Sequence, residues 1–235
     1  MATIGSPGQA AGITLLLCGV ALGAVSALEL GAGDGRGDGD NPTDGLRYFA
    51  ELGDLYTYSG LALVIAGVLL VASAIGIYRL LGSTTLSFST ASVFALISAG
   101  ALFTAGVLRM QSIGTVPYIA SLDQSWGESA YLAVHLVGTQ GLISAGMIGV
   151  AGWLVALGLV FARRRIWLPV ASTLFPAVVL IVLALDLALP WLDEANLDGL
   201  FVVYIASSIV GIPVCCLSFG IALLFTRVRT RLSQQ

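Results

Sequence analysis

Few side chains in this chain can do chemistry, and those that can fall close together when the sequence is laid out along helices: Glu29, Arg109, Glu128, Tyr131, His135, Gln140 and Asp186. Glu128, Tyr131, His135 and Thr139 follow at spacings of three, four and four, which stacks them along one face of an α-helix. His135 is the only histidine. An imidazole titrates near neutrality, so it can carry or sense a proton. Flanking carboxylates and an arginine would make a polar cup that binds a polar ligand or relays that proton. The plainer reading is a hydrogen-bonded structural histidine, with Glu29 and Asp186 pairing with Arg109 or reaching lipid headgroups.

Other chemistries lack their residues. A metal centre needs several ligands, and one histidine among scattered carboxylates does not supply them. Cys18, Cys215 and Cys216 lie in apolar runs with no CxxC or Cys/His spacing, so they read as small packing residues. Residues 31–45 alternate Gly with Asp. Asp34, Asp38 and Gly39 fit a calcium loop, but Arg36 takes a ligand position and Gly45 stands where a glutamate is needed. No glycine-rich phosphate loop and no paired nucleophile and base is present. The sequence therefore calls for no cofactor, no metal, no catalytic residue and no nucleic-acid partner, and an enzyme is the less favoured class.

The elements that position these residues follow from composition. The chain has 235 residues, 57% hydrophobic and only 10% charged, with mean hydropathy +0.97. A soluble domain carries about a quarter charged residues, so much of this surface must face lipid. A spanning helix needs about 20 mostly apolar residues. Six runs qualify, near 11–30, 58–80, 88–108, 131–161, 166–189 and 200–225. Lipid offers the backbone no hydrogen-bond partner, so such segments must be helical. The expected fold is all-α: one polytopic transmembrane bundle over 1–235 with about six spanning helices and an outer loop at 31–57. Within that loop, the apolar residues of 46–56 suggest a short interfacial helix. The run 131–161 is long enough to project beyond the bilayer or to break near 138–141.

Basic residues in short loops favour the cytoplasmic side. Arg79, Arg163, Arg164, Arg165, Arg227, Arg229 and Arg231 fall at one set of helix ends, leaving Arg36, Arg47 and Arg109 on the other. The loop acids all fall with the second set. Both chain ends are therefore expected in the cytoplasm, in the cell membrane of a prokaryote, with the seven arginines as anchors to lipid headgroups. All ten basic residues are arginine, a habit of GC-rich or halophilic genomes. Ala24-Val25-Ser26-Ala27 looks like a signal-peptide cleavage site, but the first ten residues hold no basic residue, so the first run reads as a retained helix.

Helix packing in lipid depends on small residues. The stripes Gly19/Gly23, Gly141/Ala145/Gly149 and Ser207/Gly211/Cys215 are the expected bundle interior, and Pro176 and Pro213 the expected kinks. Counting about 20 residues from the arginine-bearing ends puts Glu29, Arg109, His135, Gln140 and Asp186 at one level, near the outer surface.

The basic turn Arg163-Arg164-Arg165-Ile166-Trp167-Leu168-Pro169, and a last helix containing Ile212-Pro213 and ending in arginines, resemble a family of bacterial and archaeal six-helix membrane proteins known only as a domain of unknown function. That resemblance implies the fold and no activity. The leading expectation is a non-enzymatic partner subunit, sensor or structural component whose partners are membrane lipids, other membrane subunits or a second copy. A small transporter or channel using the outer cup comes next, then an enzyme acting on a lipid or quinone.

Overall fold

The structure, a computed structural model, describes residues 7–31, 41–81, 86–163, 167–188, 203 and 206–225. Among them every regular element is helical: α1 (Pro7–Gly31), α2 (Pro42–Leu81), α3 (Leu86–Leu122), α4 (Gln124–Leu132), a π-helical segment π1 (Ala133–Gln140), α5 (Gly141–Arg163), α6 (Trp167–Ser172), α7 (Leu174–Ala188), a second π-helical segment π2 (Ser207–Gly211) and α8 (Ile212–Phe225). Among the described residues, five helices are long and apolar enough to cross a membrane: Gly8–Leu28, Gly53–Leu81, Phe88–Leu122, Gln124–Arg163 and Ser207–Phe225. The protein is an all-α bundle of membrane type.

The run expected over 166–189 is not one long helix. It is divided into α6 and α7 by a turn at Thr173, whose N–H donates to the Val170 carbonyl at 3.1 Å. Pro176 has no N–H to give and stands in the first turn of α7, where that donor has no intrahelical partner in any case. The helix resumes as the Ala177 N–H reaches the Thr173 carbonyl at 3.1 Å. The apolar stretch that remains, Pro169–Ala184, is shorter than the other five.

Length sets the second departure from the sequence reading. At 1.5 Å per residue, the 40 residues of α2 and the 37 of α3 are each nearly twice as long as a hydrocarbon core of about 30 Å requires. The surplus lies at one end of the bundle. There the first turns of α2, the last turns of α3 and α4 form a three-helix cap. The cap has its own small core, Phe49, Tyr56, Val116 and Tyr131, backed by Leu46, Ile113 and Leu132. Residues 42–57 are thus the beginning of a continuous helix rather than part of a loop or a separate interfacial helix. A chain of buried positions seven apart, Phe49, Tyr56, Leu63, Leu70 and Ile77, carries one face of α2 from the cap down through the bundle.

The main core draws on α1, α2, α3, α5 and α8, with Leu15, Leu70, Leu102, Leu154, Trp153 and Phe219 fully buried. Glycines bring its helices together. A Cβ on Gly60 of α2 would lie 2.8 Å from the Gly106 carbonyl of α3, and one on Gly220 of α8 would lie 2.8 Å from the Leu16 N of α1. Such contact between backbones is how helices associate where lipid removes the hydrophobic drive. Gly19 meets α8 as its stripe suggested, and Ser207, Gly211 and Cys215 are buried. The α5 stripe holds only at Gly149, which packs against Ser98 of α3; Gly141 and Ala145 are exposed, and the buried face is Gly146, Val150, Trp153 and Leu157. Pro213 cannot donate to the carbonyl four residues back. That carbonyl, Ile209, accepts the Ser26 hydroxyl of α1 at 2.6 Å, so the bond lost within one helix is replaced by one between two.

At the end away from the cap, Arg79 and Arg163 are exposed. The other expected anchors, Arg164, Arg165, Arg227, Arg229 and Arg231, lie outside the described residues.

Candidate functional site

The cap meets the bundle at a cluster of buried and half-buried polar and aromatic side chains contributed by four elements. From α2 come Phe49, Tyr56 and Ser59, from α3 Arg109, and from α4 and π1 Tyr131, His135 and Thr139. The Gly60–Gly106 contact is what makes this possible, because it holds α2 and α3 at backbone distance one turn from Arg109. The Arg109 side chain then has to run along α2. Its Nη1 donates to Ser59 Oγ at 2.8 Å, and its guanidinium carbon stands 4.9 Å from the centre of the Tyr56 ring. A cation over an aromatic face is attracted by the ring quadrupole, and more strongly where water is excluded. Arg109 is only 2% exposed.

Tyr56 is the hub. Its hydroxyl lies 3.3 Å from His135 Nδ1 and 3.3 Å from Thr139 Oγ1. Thr139 in turn donates to the His135 carbonyl at 2.8 Å. Two proton arrangements satisfy these distances. In one, Nδ1–H donates to Tyr56, Tyr56 to Thr139 and Thr139 to the carbonyl. In the other, Thr139 donates to Tyr56, which donates to a bare Nδ1. A doubly protonated ring can take only the first, since both its nitrogens are then donors. The neutral tautomer protonated at Nδ1 also takes the first and the one protonated at Nε2 takes the second, so a proton on Nδ1 sets the direction of the chain of bonds.

Aromatic packing fixes the imidazole. Tyr131 stacks on it with centroids 5.0 Å apart and planes 11° from parallel, and Phe49 closes the back with centroids 5.2 Å from Tyr131 and 4.8 Å from Tyr56. The backbone of Gly45 lies against the Tyr131 ring and leaves no room for a side chain. His135 and Thr139 sit in the π1 stretch, whose wider turn is a recurrent device at functional positions.

The sequence-derived candidates divide. Arg109, Tyr131 and His135 come together here. Glu128 is one turn further out, accepting from Thr43 at 2.9 Å and Gln124 at 3.0 Å, and so fastens α4 to the start of α2. Gln140 ends π1 and is half-buried. The side chains of Glu29 and Asp186 lie outside the described residues, so their expected pairing with Arg109 does too. Sequence reading missed Tyr56 and Ser59. Their signal was the seven-residue apolar spacing through Phe49, Tyr56 and Leu63, which marks one helix running out of the membrane.

Electrostatics at the cap surface are simple. Asp123 is the N-cap of α4, with extended backbone (φ −156°, ψ 127°). The Ser125 hydroxyl, followed by the Trp126 and Ser125 N–H groups, holds its carboxyl below the ordinary value. The guanidinium of Arg47 is pushed up by its hydrogen bond and ion pair with Glu51, 2.7 Å away.

No family model, no curated protein and no solved structure matches this chain.

Proposed function

We propose that this chain is a multi-pass protein of a prokaryotic cell membrane, both ends cytoplasmic, working as a non-enzymatic partner subunit whose outer cap receives its partner. The observation that carries this reading is that the polar cluster is closed. Tyr56, Ser59, Arg109, Tyr131 and Thr139 are all buried, and the bonds from Arg109 to Ser59 and between Tyr56, His135 and Thr139 run within the cluster. A catalytic group has to reach a substrate atom, and these reach each other. Beneath the cluster the described bundle is filled by Leu63, Ala66, Leu70, Leu102 and Leu154, which favours a rigid anchor over a transport path. The outer cap, by contrast, exposes Tyr118, Leu122 and Trp126, large apolar side chains in a segment beyond the length a bilayer can cover.

The orientation rests on Arg79 and Arg163 standing exposed at the end opposite the cap, as basic residues do on the cytoplasmic side. The likeness to the six-helix family of unknown function rests on the Arg163–Pro169 turn and the Ile212-Pro213 pair alone and adds no activity.

Purification from native membranes in mild detergent tests the proposal. A stoichiometric partner that is lost with Trp126→Ala and Tyr118→Ser supports it. A lone monomer carrying a bound small molecule at His135 refutes it. For orientation, a single cysteine at position 125, in a chain with Cys18, Cys215 and Cys216 replaced by alanine, is expected to react with an impermeant reagent on intact cells.

A further inference from the structure

A crevice of about 630 Å³ opens between α3, α5 and α7, at the level of the first turns of α3 and away from the cap at its other end. Thr90, Ala91 and Phe94 line it from α3, Gly149 and Gly152 from α5, and Leu180 from α7. All of these lie in the apolar segments, so hydrocarbon is the solvent at its mouth. On α5, Gly149 packs against Ser98 of α3 with no room for a Cβ, and Gly152 faces the open space. A Cβ on Gly152 would meet nothing within 4 Å, so this glycine is not a helix-contact residue like Gly60. It leaves a space unfilled.

The face of α5 that carries the crevice continues toward the arginine-bearing end. Gly152, Ala156, Leu159 and Arg163 succeed one another at spacings of four, three and four, which keeps them on one side of the helix. Leu159 and Arg163 are exposed along that side. Eleven residues of α5 separate Gly152 from Arg163, about 16 Å of helix rise. One leaflet contributes about half of a 30 Å hydrocarbon core. The apolar crevice and the cation are therefore one acyl-chain length apart, on one face. The sequence continues from Arg163 with Arg164 and Arg165, and no acidic residue lies between Glu128 and Asp186.

We infer that this face binds an anionic glycerophospholipid of the cytoplasmic leaflet, its phosphate at the Arg163 end and one acyl chain in the Gly149–Gly152 crevice. The charge complementarity selects a lipid over a second copy of the chain, whose own corresponding end would bring like charges together. The inference rests on the reading that the arginine-bearing ends lie at headgroup level.

Native mass spectrometry of the detergent-purified full chain, with phosphatidylglycerol and phosphatidylcholine supplied in equal amounts, tests it. The wild type should retain one phosphatidylglycerol in preference to phosphatidylcholine, by about fivefold for each arginine engaged. Gly152→Leu, whose Cβ meets nothing within 4 Å and whose longer side chain enters the crevice, should abolish retention of both lipids. Arg163→Gln should keep the adduct but lower the preference about fivefold. A circular-dichroism melt in phosphatidylcholine should be the same for all three, which separates lost binding from lost folding. Equal retention of the two lipids by wild type, unchanged retention by Gly152→Leu, or a dimer that Gly152→Leu dissociates would each overturn the site. A chain that stays monodisperse in plain buffer would instead overturn the membrane reading beneath it.

Discussion

The phenol of Tyr56 on α2 and the imidazole of His135 on π1 meet at 3.3 Å, and this contact joins the cap to the helical bundle. Everything around it is arranged to keep it: Tyr131 stacked on the imidazole, Arg109 over the phenol, Thr139 on the far side of the hydroxyl. Because the hydroxyl both donates and accepts, it couples two elements that the α2–α3 glycine contact alone would leave apart.

Tyr56→Phe keeps the ring and removes that coupling. Its expected cost is about 1 kcal/mol, the net worth of a typical hydrogen bond. Tyr56→Ala also removes the ring from beneath Arg109 and beside Phe49, and should cost about 3–5 kcal/mol, as large aromatic truncations do. Thermal unfolding in detergent measures both. Equal losses for the two variants would show that the hydroxyl, not the ring, does the fastening.

Ser59→Ala removes the acceptor at 2.8 Å from Arg109 Nη1. Hydrogen bonds to charged groups contribute about 1.5–3 kcal/mol, and this one lies at a boundary where water is scarce. We expect a loss in that range, with limited proteolysis shifting to the α2–α3 segment of the cap. A Ser59→Thr variant retains the hydroxyl and should behave as wild type if the threonine methyl is accommodated.

Gly60→Leu forces α2 from α3 at the point where Gly60 and Gly106 touch. Overpacking of this kind costs about 1–3 kcal/mol. It should also uncouple Arg109 from Ser59, so that a subsequent Ser59→Ala costs less in Gly60→Leu than in wild type. Additive losses in that double-mutant cycle would mean the glycine contact does not position the arginine.

Asp123 makes the cap sensitive to acid. Its carboxyl is held below the ordinary value by Ser125 and the first N–H groups of α4. A depressed folded-state value stabilises the helix start above the unfolded value, about 3.9, and that stabilisation is lost as pH falls through the folded value. Protection of α4 amides from hydrogen exchange, corrected for intrinsic rate, is therefore expected to fall below about pH 4. In Asp123→Ala the protection should be lower at neutral pH and nearly flat across that window.

Much of this molecule was legible without coordinates. A tenth of residues charged cannot clothe a water-facing surface, and in lipid the backbone must bond to itself, so an all-helical membrane bundle was determined by composition and periodicity. The stacked spacing of Tyr131, His135 and Thr139 was equally a property of sequence, because a helical repeat fixes which residues share a face. What the chain order could not decide was how far each helix continues once it leaves the hydrocarbon. Residues 42–57 are polar enough to read as a loop, and they are helical only because Phe49 and Tyr56 find Val116 and Tyr131 across the cap. The outward turn of Ala145, the division at Thr173 and the placing of Arg109 beside Ser59 have the same origin. Each depends on which neighbour lies within a few ångströms across a helix interface. That is set by shape complementarity among small residues at distant positions, which no single segment contains.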